Sequence, residues 1–378
     1  MQIGGFAEEG FGLVADAFAA NFANEGDVGA AVAVYSSGRP VVDLWAGVAD
    51  QADGRPWETD TVVNVFSCSK GVLAVLANMA IQRGMLDPDR PVAEYWPEFA
   101  AAGKGAVTVR QVLSHQAGLP HVEGTFTLDE ALSWYPVVRA LAASAPQWEP
   151  GTRHGYHMRS FGWMTGEILR RVTGLMPDQL LVEWLAVPLQ LSFWYGVPDA
   201  VLPRCARLVP PEQMPVDLAK VFGPDSLTVK VFNGPSDLFH YDDMWNTTKL
   251  RQAVIPSSGG IGDARSLAKL YAACVGDVEG TPRVLSAATV ASASRPQVSG
   301  TDAILGTPSA WGLGFAVLPF LPEGAGSTSF GHGGAGGSAG FADPDRGLGF
   351  AYVMNRLRFG LDDHRVSNLT RALYEALD

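Results

Sequence analysis

The chain has 378 residues, of which 47% are hydrophobic and 17% are charged, and its formal net charge is -12. This length and composition allow a large buried core, built as one big domain or as two interlocked ones. The negative charge and the lack of a Lys/Arg cluster argue against nucleic acid and anionic membranes as partners, and no stretch approaches the length of an apolar membrane span.

The N-terminal segment MQIGGFAEEGFG has neither a basic start nor an apolar run of signal-peptide length, which predicts a cytoplasmic protein. Cys68, Cys205 and Cys274 are widely spaced and odd in number, with no CxxC pattern. They predict reduced, buried thiols and neither a disulfide framework nor a structural metal. We expect no cofactor, and the sequence leaves open whether the chain forms a homo-oligomer.

The predicted elements follow from hydrophobic periodicity and turn residues. In chain order they are a helix (10–24), two strands joined by a turn at 36–40 (28–50), helices (70–84, 106–114, 160–174), a long Pro/Gly-rich loop (196–262), a helix (263–275), two strand-like runs (311–319, 348–355) and a helix (367–377). Strand material therefore lies at both ends of the chain, with a helical region between.

This distribution predicts an α/β fold of the α+β type, in which a sheet is built from both chain ends. The corresponding domains are a discontinuous sheet domain, residues 1–66 and 290–378, and a mainly helical domain with long active-site loops, residues 67–289.

The segment GHGGAGGSAGF (331–341) contains a GxSxG pattern centred on Ser338, the pattern of the serine-hydrolase nucleophile elbow. An elbow needs a strand before the serine and a helix after it. Neither is predicted here, because the preceding residues are glycine-rich and Pro344 and Gly347 follow closely. Downstream of Ser338 the sole histidine is His364. The pattern therefore predicts a glycine-rich strand or turn and not a nucleophile.

Ser67 and Lys70 form an SxxK pair in NVFSCSKGVLAVLANMAIQRG (64–84). Three residues are close to one helical turn, so both side chains lie on one face. Lys70 is the only charged side chain between Phe66 and Gln82, in a helix that is apolar nearly all round. Burial favours the neutral amine, which can accept the proton of a serine hydroxyl. The pair therefore predicts a nucleophile at Ser67.

A second SxxK pair, Ser266 and Lys269, serves as an internal control. The apolar stripe of its helix bypasses both residues, which predicts a solvent-facing pair without a catalytic role. Asp263, just before this helix, is predicted to be its N-cap and not a catalytic acid.

A Ser/Lys site needs a second proton carrier, and the candidate is Tyr156 in the loop WEPGTRHGYHM (148–158). A glycine-rich loop before a helix can aim a phenol into a cleft. Its phenolate could act as a base only if cationic neighbours such as Lys70 lowered its pKa. The sequence leaves open which of the two residues is the general base.

Three segments, FSCSK (66–70), WEPGTRHGYHM (148–158) and GHGGAGG (331–337), together resemble the SxxK, Tyr-loop and glycine-rich strand motifs of the serine β-lactamase-like proteins. VLSHQAGLP (112–120) and GMLDPDRPVAEYWPEF (84–99) extend the resemblance over essentially the whole chain. Within this superfamily the sequence is most similar to class C β-lactamases and family VIII carboxylesterases. The resemblance implies an antiparallel sheet flanked by helices.

The resemblance also implies a mechanism. Ser67 would attack an ester carbonyl, Lys70 and Tyr156 would share the proton transfers, and water would hydrolyse the acyl-enzyme. The backbone N–H groups of Ser67 and Ala335 would form the oxyanion hole. Three residues of the glycine-rich strand would contact substrate, namely His332, Gly333 and Gly334, since glycine lets a ligand approach the strand backbone closely.

Two positions depart from the β-lactamase pattern. Met158 stands where the YxN motif has asparagine, and His332 stands where the KTG motif has lysine. Both changes remove polar recognition of β-lactams, since imidazole is mostly neutral at pH 7. We therefore expect a cytoplasmic carboxylesterase for small or short-acyl esters, with weak β-lactam hydrolysis as a side activity. An acyltransferase or amidase of the same fold stays open, as does a non-catalytic penicillin-binding-like scaffold.

Aromatic residues of the long loops either line an acyl or alcohol pocket or serve as ordinary packing. They are Trp134, Tyr135, Phe193, Trp194, Tyr195, Phe239, Tyr241 and Trp245. Four histidines lack metal-ligand spacing and are predicted to be structural, so no metal site is expected. They are His115, His121, His154 and His240.

Overall fold

The computed structural model describes residues 2–212, 214, 216–360 and 362–378. Within them the strands are β1 (Ile3–Ala7), β2 (Gly29–Ser36), β3 (Arg39–Asp50), β4 (Arg55–Pro56), β5 (Val63–Asn64), β6 (Phe193–Tyr195), β7 (Gly260–Gly262), β8 (Val298–Thr301), β9 (Pro308–Trp311), β10 (Ala316–Val317), β11 (Phe330–Gly333), β12 (Ala339–Asp343) and β13 (Leu348–Met354).

The helices in the same residues are α1 (Gly12–Ala20), α2 (Cys68–Gln82), α3 (Val109–Leu113), α4 (Leu128–Leu132), α5 (Tyr135–Ala143), α6 (Ser160–Thr173), α7 (Pro177–Leu181), α8 (Val187–Leu189), α9 (Leu218–Phe222), α10 (Leu227–Asn233), α11 (Thr248–Arg251), α12 (Ala264–Val275), α13 (Ala287–Ser294) and α14 (Arg365–Leu377). Short 3-10 and π-helical turns lie between them. No helix in these ranges is long and apolar enough to cross a membrane.

Strands from both ends of the chain form one large antiparallel sheet, in the order β1-β3-β2-β13-β12-β11-β10-β9-β8, with β4 paired to β3. The two ends meet where β2 pairs with β13, from Ala30 opposite Met354 to Ser36 opposite Leu348. Every residue of β13 is buried, so both faces of the sheet are covered there. The helix α12 packs against β2, β12 and β13. The predicted sheet from both chain ends is confirmed.

A buried ion pair also joins the two ends of the chain. Arg365 Nη1 lies 3.0 Å from Asp27 Oδ1, and both side chains are fully buried. The Tyr352 hydroxyl donates to the same carboxylate, at 2.7 and 2.8 Å. The charges therefore pair with each other and with a hydroxyl in the absence of water.

The predicted helices are confirmed, but two other expectations were wrong. The run 311–319 is not one strand, because β9 ends at Trp311 and the chain turns through Gly314, whose φ is +86°, before β10 begins. The predicted loop 196–262 contains α9, α10 and α11, each of which begins at a side-chain N-cap (Asp217, Ser226 and Thr247).

A second, three-stranded antiparallel sheet has the order β5-β7-β6. Since β5 leads directly into α2, this small sheet fixes the start of that helix. The helix α2 packs against α6 and against β11 of the large sheet. The two-domain division, residues 1–66 with 290–378 and residues 67–289, stays a prediction.

Candidate active site

Ser67 lies in a turn between β5 and α2 whose backbone is strained. Phe66 has a φ of 45°, a left-handed conformation that is rare for a bulky residue and is typical of functional sites. Its N–H donates to Asn64 Oδ1 at 2.8 Å, and its ring packs edge-on against Trp245. These contacts place Ser67 at the N-terminus of α2, where the helix dipole stabilises negative charge.

Lys70 lies one helical turn after Ser67 and points to it. Its Nζ is 3.0 Å from Ser67 Oγ and 3.0 Å from Ser257 O, so both partners are uncharged. The side chain is fully buried. Burial lowers the pKa of Lys70 well below its ordinary value, and the charge of the buried Arg159 lowers it further. Both effects favour the neutral amine.

Tyr156 approaches Ser67 from the loop before α6. Its hydroxyl donates to Ser67 Oγ at 3.0 Å, and Lys70 Nζ lies 4.9 Å from its ring centroid. The ring stacks on Trp311, with centroids 5.4 Å apart. Burial raises the pKa of Tyr156 above its ordinary value. The condition under which a phenolate could act as the base is therefore not met in this arrangement.

The glycine-rich segment forms the hairpin turn between β11 and β12. Gly334 N–H donates to Ser338 O at 2.7 Å, and Gly336 and Gly337 have positive φ values of 84° and 120°. A Cβ added at Gly334 would lie 2.2 Å from Val65 O. The turn therefore lies directly against the segment that precedes Ser67, and only glycine allows this approach.

Two backbone N–H groups, one at the start of α2 and one in the hairpin turn, make no hydrogen bond within the described residues. The N–H groups of Ser67 and Ala335 donate no hydrogen bond to any residue that the structure describes. The Ser67 group is free because it precedes the first turn of α2. Free donors beside a nucleophile are what an oxyanion hole requires. Their role in the reaction stays a prediction.

His332 is 2% exposed and lies near Tyr156. Its ring centroid is 6.0 Å from that of Tyr156, and its Nδ1 lies 2.6 Å from Gly333 O. Burial and the neighbouring Lys70 lower the pKa of His332 to about 3, so the imidazole is neutral. It does not supply the permanent cation of a KTG lysine. Substrate contact by His332, Gly333 and Gly334 stays a prediction.

Sequence reasoning missed Ser257 and Asp302. Besides receiving a hydrogen bond from Lys70 through its carbonyl, Ser257 uses its hydroxyl to accept from Gly162 N–H at 2.6 Å. Asp302 Oδ1 accepts the N–H of Tyr156 at 3.0 Å and so orients the tyrosine loop. Neither residue lies in a pattern that singles it out.

Arg159 was also missed, although a signal was available. It is a charged residue next to an otherwise apolar helix start and lies three residues after Tyr156. Its guanidinium is 3% exposed and donates to the carbonyls of Phe232 (2.6 Å) and Gly234 (3.1 Å). The observation used for Lys70, a charged residue in apolar surroundings, would have identified it, because a buried charge is costly.

The glycine-rich turn predicted for the GxSxG segment is confirmed, since Ser338 lies at the end of the hairpin turn and is 3% exposed. That Ser338 is not the nucleophile stays a prediction. The Asp263 N-cap is confirmed as well, because its side chain accepts from Ser266 N–H.

The solvent-facing prediction for Ser266 was wrong. The Ser266 hydroxyl is buried and accepts from Ser192 N–H at 2.7 Å, since the segment before β6 covers this face of α12.

Most of the loop aromatics are ordinary packing. Five of the eight are nearly fully buried, namely Trp134, Phe193, Tyr195, Phe239 and Trp245. Tyr241 differs because it packs on Phe66, next to Ser67, and lines a cavity of about 620 Å³.

The three cysteines are buried, as predicted. Within the described ranges no group of three or more His, Cys, Asp or Glu could hold a metal ion.

The family model for beta-lactamase matches residues 15–373. The chain belongs to the beta-lactamase family. The esterase/beta-lactamase LipL of Mycobacterium tuberculosis is 36% identical over 365 residues, which cover 94% of this chain and 83% of that protein. The β-lactamase-like fold expected from the motifs is confirmed.

Two solved structures cover the whole of this chain and are covered by it in full. A family VIII carboxylesterase is 36% identical, with a TM-score of 0.87. A penicillin-binding protein homologue from Caulobacter crescentus is 36% identical, with a TM-score of 0.91. The chain is thus a serine hydrolase of the beta-lactamase family, similar to esterases and to penicillin-binding proteins.

Proposed function

We propose that the protein is a carboxylesterase that hydrolyses small or short-acyl esters through an acyl-enzyme on Ser67. The observation that carries the proposal is the position of Lys70 Nζ and Tyr156 Oη, each 3.0 Å from Ser67 Oγ. A hydroxyl between a neutral amine and a protonated phenol is an activated nucleophile. The similarity to a family VIII carboxylesterase and to LipL supports an ester as the substrate.

In the acylation step we assign the general base to Lys70. The neutral amine takes the Ser67 proton while Oγ attacks the ester carbonyl carbon. The oxyanion forms between the N–H groups of Ser67 and Ala335, and one such donor contributes about 3 to 4 kcal/mol in measured enzymes. The C–O bond to the alcohol then breaks, and the leaving oxygen takes a proton from the Lys70 ammonium.

Deacylation repeats these steps with water. Lys70 takes a proton from the water as its oxygen attacks the acyl carbon, and Ser67 leaves and regains its proton. Throughout the cycle Tyr156 stays protonated, because burial raises its pKa. It stabilises charge on Ser67 Oγ by donating a hydrogen bond.

The same site explains why we place β-lactams second. His332 is neutral and buried, so the strand offers no permanent cation for a β-lactam carboxylate. Met158 is 6% exposed and brings a thioether where the related motif has an amide. We propose weak β-lactam hydrolysis only. The cytoplasmic location and the assembly of the chain stay predictions.

A burst assay tests the proposal. With p-nitrophenyl acetate or butyrate, we expect the wild type to release a burst of p-nitrophenol and Ser67→Ala to lose it. The matched control is Ser266→Ala, which alters the serine of the second SxxK pair and should keep the burst. Equal loss in both variants would contradict the assignment of the nucleophile, and an inactive wild type would favour a scaffold.

A covalent label tests the nucleophile independently. After treatment with a p-nitrophenyl phosphonate, mass spectrometry should find one label, on the peptide that contains Ser67. A label on the peptide that contains Ser338 would show that the elbow pattern, and not the SxxK pair, supplies the nucleophile.

A further inference from the structure

We propose that Ser338, the serine of the GxSxG pattern, is a positioning residue for the oxyanion hole. Its hydroxyl ties the turn that carries Ala335 to the segment that carries Ser67. The inference rests on the proposed function, because it assigns Ser338 to the same site. It gives the serine a role in which its hydroxyl never touches the substrate.

Two hydrogen bonds of Ser338 join the two halves of the site, in addition to the weak one that its hydroxyl accepts from Cys68 Sγ. Its carbonyl accepts Gly334 N–H at 2.7 Å, which closes the turn around Ala335. Its hydroxyl donates to Val65 O at 3.0 Å, two residues before Ser67. One residue therefore links both segments that provide the N–H donors, and at 3% exposure the link is shielded from water.

The other contacts of the turn and its flanking strand run to the C-terminal part of the chain and, through the Cys68 thiol, to the nucleophile segment. Gly336 O accepts from Arg365 Nη2 at 2.7 Å and from Arg358 N–H at 3.1 Å, which fixes the turn to the C-terminal part of the chain. Cys68 Sγ donates to His332 O at 3.2 Å, on the strand before the turn, and lies 3.7 Å from Ser338 Oγ. A thiol is a weak donor. The Ser338 hydroxyl is thus the strong link from turn to nucleophile segment.

The hydrogen bond from Ser338 to Val65 O controls the distance between the N–H groups of Ser67 and Ala335. An oxyanion donor is effective only near 3 Å from the position that the charged oxygen will occupy. Without the hydroxyl, Val65 O keeps Cys68 N–H as a donor at 3.2 Å, so no buried acceptor loses its last partner. The variant Ser338→Ala should therefore fold, and its defect should lie in transition-state stabilisation.

The test compares Ser338→Ala, Ser338→Thr and the wild type. We expect Ser338→Ala to lower kcat and kcat/KM for p-nitrophenyl butyrate by about tenfold, with KM nearly unchanged, because the lost contact acts only in the transition state. Inhibition by butylboronic acid should weaken by about the same factor, since its tetrahedral adduct on Ser67 places an oxygen in the hole. Ser338→Thr keeps the hydroxyl and should recover most of both losses.

The matched control is Ser144→Ala, which removes a similar hydroxyl bond, to Ala140 O at 2.7 Å, on α5. It should behave as the wild type in both assays. The inference is overturned if Ser338→Ala keeps the kcat and the boronate inhibition of the wild type. It is also overturned if Ser338→Ala loses kcat while its boronate inhibition stays unchanged. An active wild type with an equally active Ser338→Ala contradicts this inference alone. An inactive wild type contradicts the proposed function and the inference with it.

Discussion

Arg159 is a second buried basic residue near Lys70, and its positive charge opposes a charge on the Lys70 amine. Within the described residues, the Arg159 guanidinium donates to backbone carbonyls, including those of Phe232 and Gly234, and not to a carboxylate. Repulsion between two charges in a core favours the neutral form of the weaker base, which is Lys70. Arg159 therefore helps to keep the amine ready to accept a proton.

The pH profile should report this effect. The rate depends on neutral Lys70, so kcat/KM should rise with pH through the pKa of that amine. Arg159→Met removes a positive charge, which raises the pKa of Lys70 and moves the acid limb to higher pH. We expect lower activity at acid pH and near-normal activity at high pH, measured with p-nitrophenyl butyrate from pH 5 to 9.

Arg159→Lys is the matched control, because it keeps the charge and changes the shape. Its acid limb should stay near that of the wild type. If the acid limb moves equally in both variants, the hydrogen bonds of Arg159 to Phe232 and Gly234, and not its charge, control the pKa of Lys70. The other titratable groups that face Lys70 are held neutral by burial, namely Cys68, His115, Tyr156 and His332.

At the residue scale, the sequence predicts the candidate catalytic side chains but not the residues that hold them in place. Ser67 and Lys70 are predictable because one helical turn brings them together whatever the tertiary fold. Ser257 meets Lys70 across 187 positions of the chain, and Asp302 meets Tyr156 across 146. Ser257 acts through its backbone carbonyl, and Asp302 acts on a backbone N–H. No sequence pattern of side chains marks such contacts. Only the assembled fold identifies them.

At the element scale, the hairpin between β11 and β12 distinguishes two neighbouring glycines. A Cβ at Gly334 would lie 2.2 Å from Val65 O, a backbone atom that cannot move aside. A Cβ at Gly333 would meet only Ser338 O, at 3.9 Å, an ordinary contact distance. Gly334 therefore allows close backbone packing, whereas Gly333 borders open space.

We therefore expect Gly334→Ala to lower the melting temperature and abolish esterase activity, with a cost in the range of about 1 to 3 kcal/mol that overpacking brings. Gly333→Ala should melt like the wild type while raising KM, because its methyl group enters the space expected for substrate. Thermal unfolding and Michaelis kinetics on both variants separate the two roles. Equal melting temperatures would contradict the close approach at Gly334.

Elements with strong periodicity were predictable, and irregular ones were not. The helices α2, α6, α12 and α14 follow the predicted apolar pattern within a few residues. The failure at 311–319 has a local cause, since the apolar run contains two glycines and the positive φ of Gly314 interrupts it. The solvent-facing prediction for Ser266 failed because periodicity describes one helix and not what covers its other faces.

At the scale of the whole molecule, buried neutral histidines make stability depend on pH. Burial lowers the pKa of His157 to about 4 and that of His332 to about 3. In the unfolded chain an imidazole titrates near pH 6.5. Between pH 6.5 and 4 the unfolded state therefore binds more protons than the folded state. Stability is fully present above pH 6.5 and is lost as the pH falls.

We expect the free energy of unfolding to fall by up to about 1.4 kcal/mol per pH unit for each buried histidine in this window. Urea titrations at pH 7, 6, 5 and 4.5 measure the slope. His157→Asn should be less stable at pH 7 but show a shallower slope, whereas His240→Gln, at the surface, should leave the slope unchanged. A slope that persists undiminished in His157→Asn would assign the acid sensitivity to other groups.

The ion pair between Asp27 and Arg365 constrains how this sequence can evolve. Losing Arg365 leaves the buried Asp27 carboxylate without a cation, which costs about 3 to 5 kcal/mol, whereas apolar residues at both positions are often tolerated. Losing Asp27 leaves Arg365 paired with Asp363 alone, at 2.7 Å. A chain that has lost only Arg365 is thus less stable than the present chain and than one with apolar residues at both positions. Descendants of this chain should keep Asp27, Tyr352 and Arg365 together or exchange them together, and single exchanges should survive only where other substitutions have first added stability.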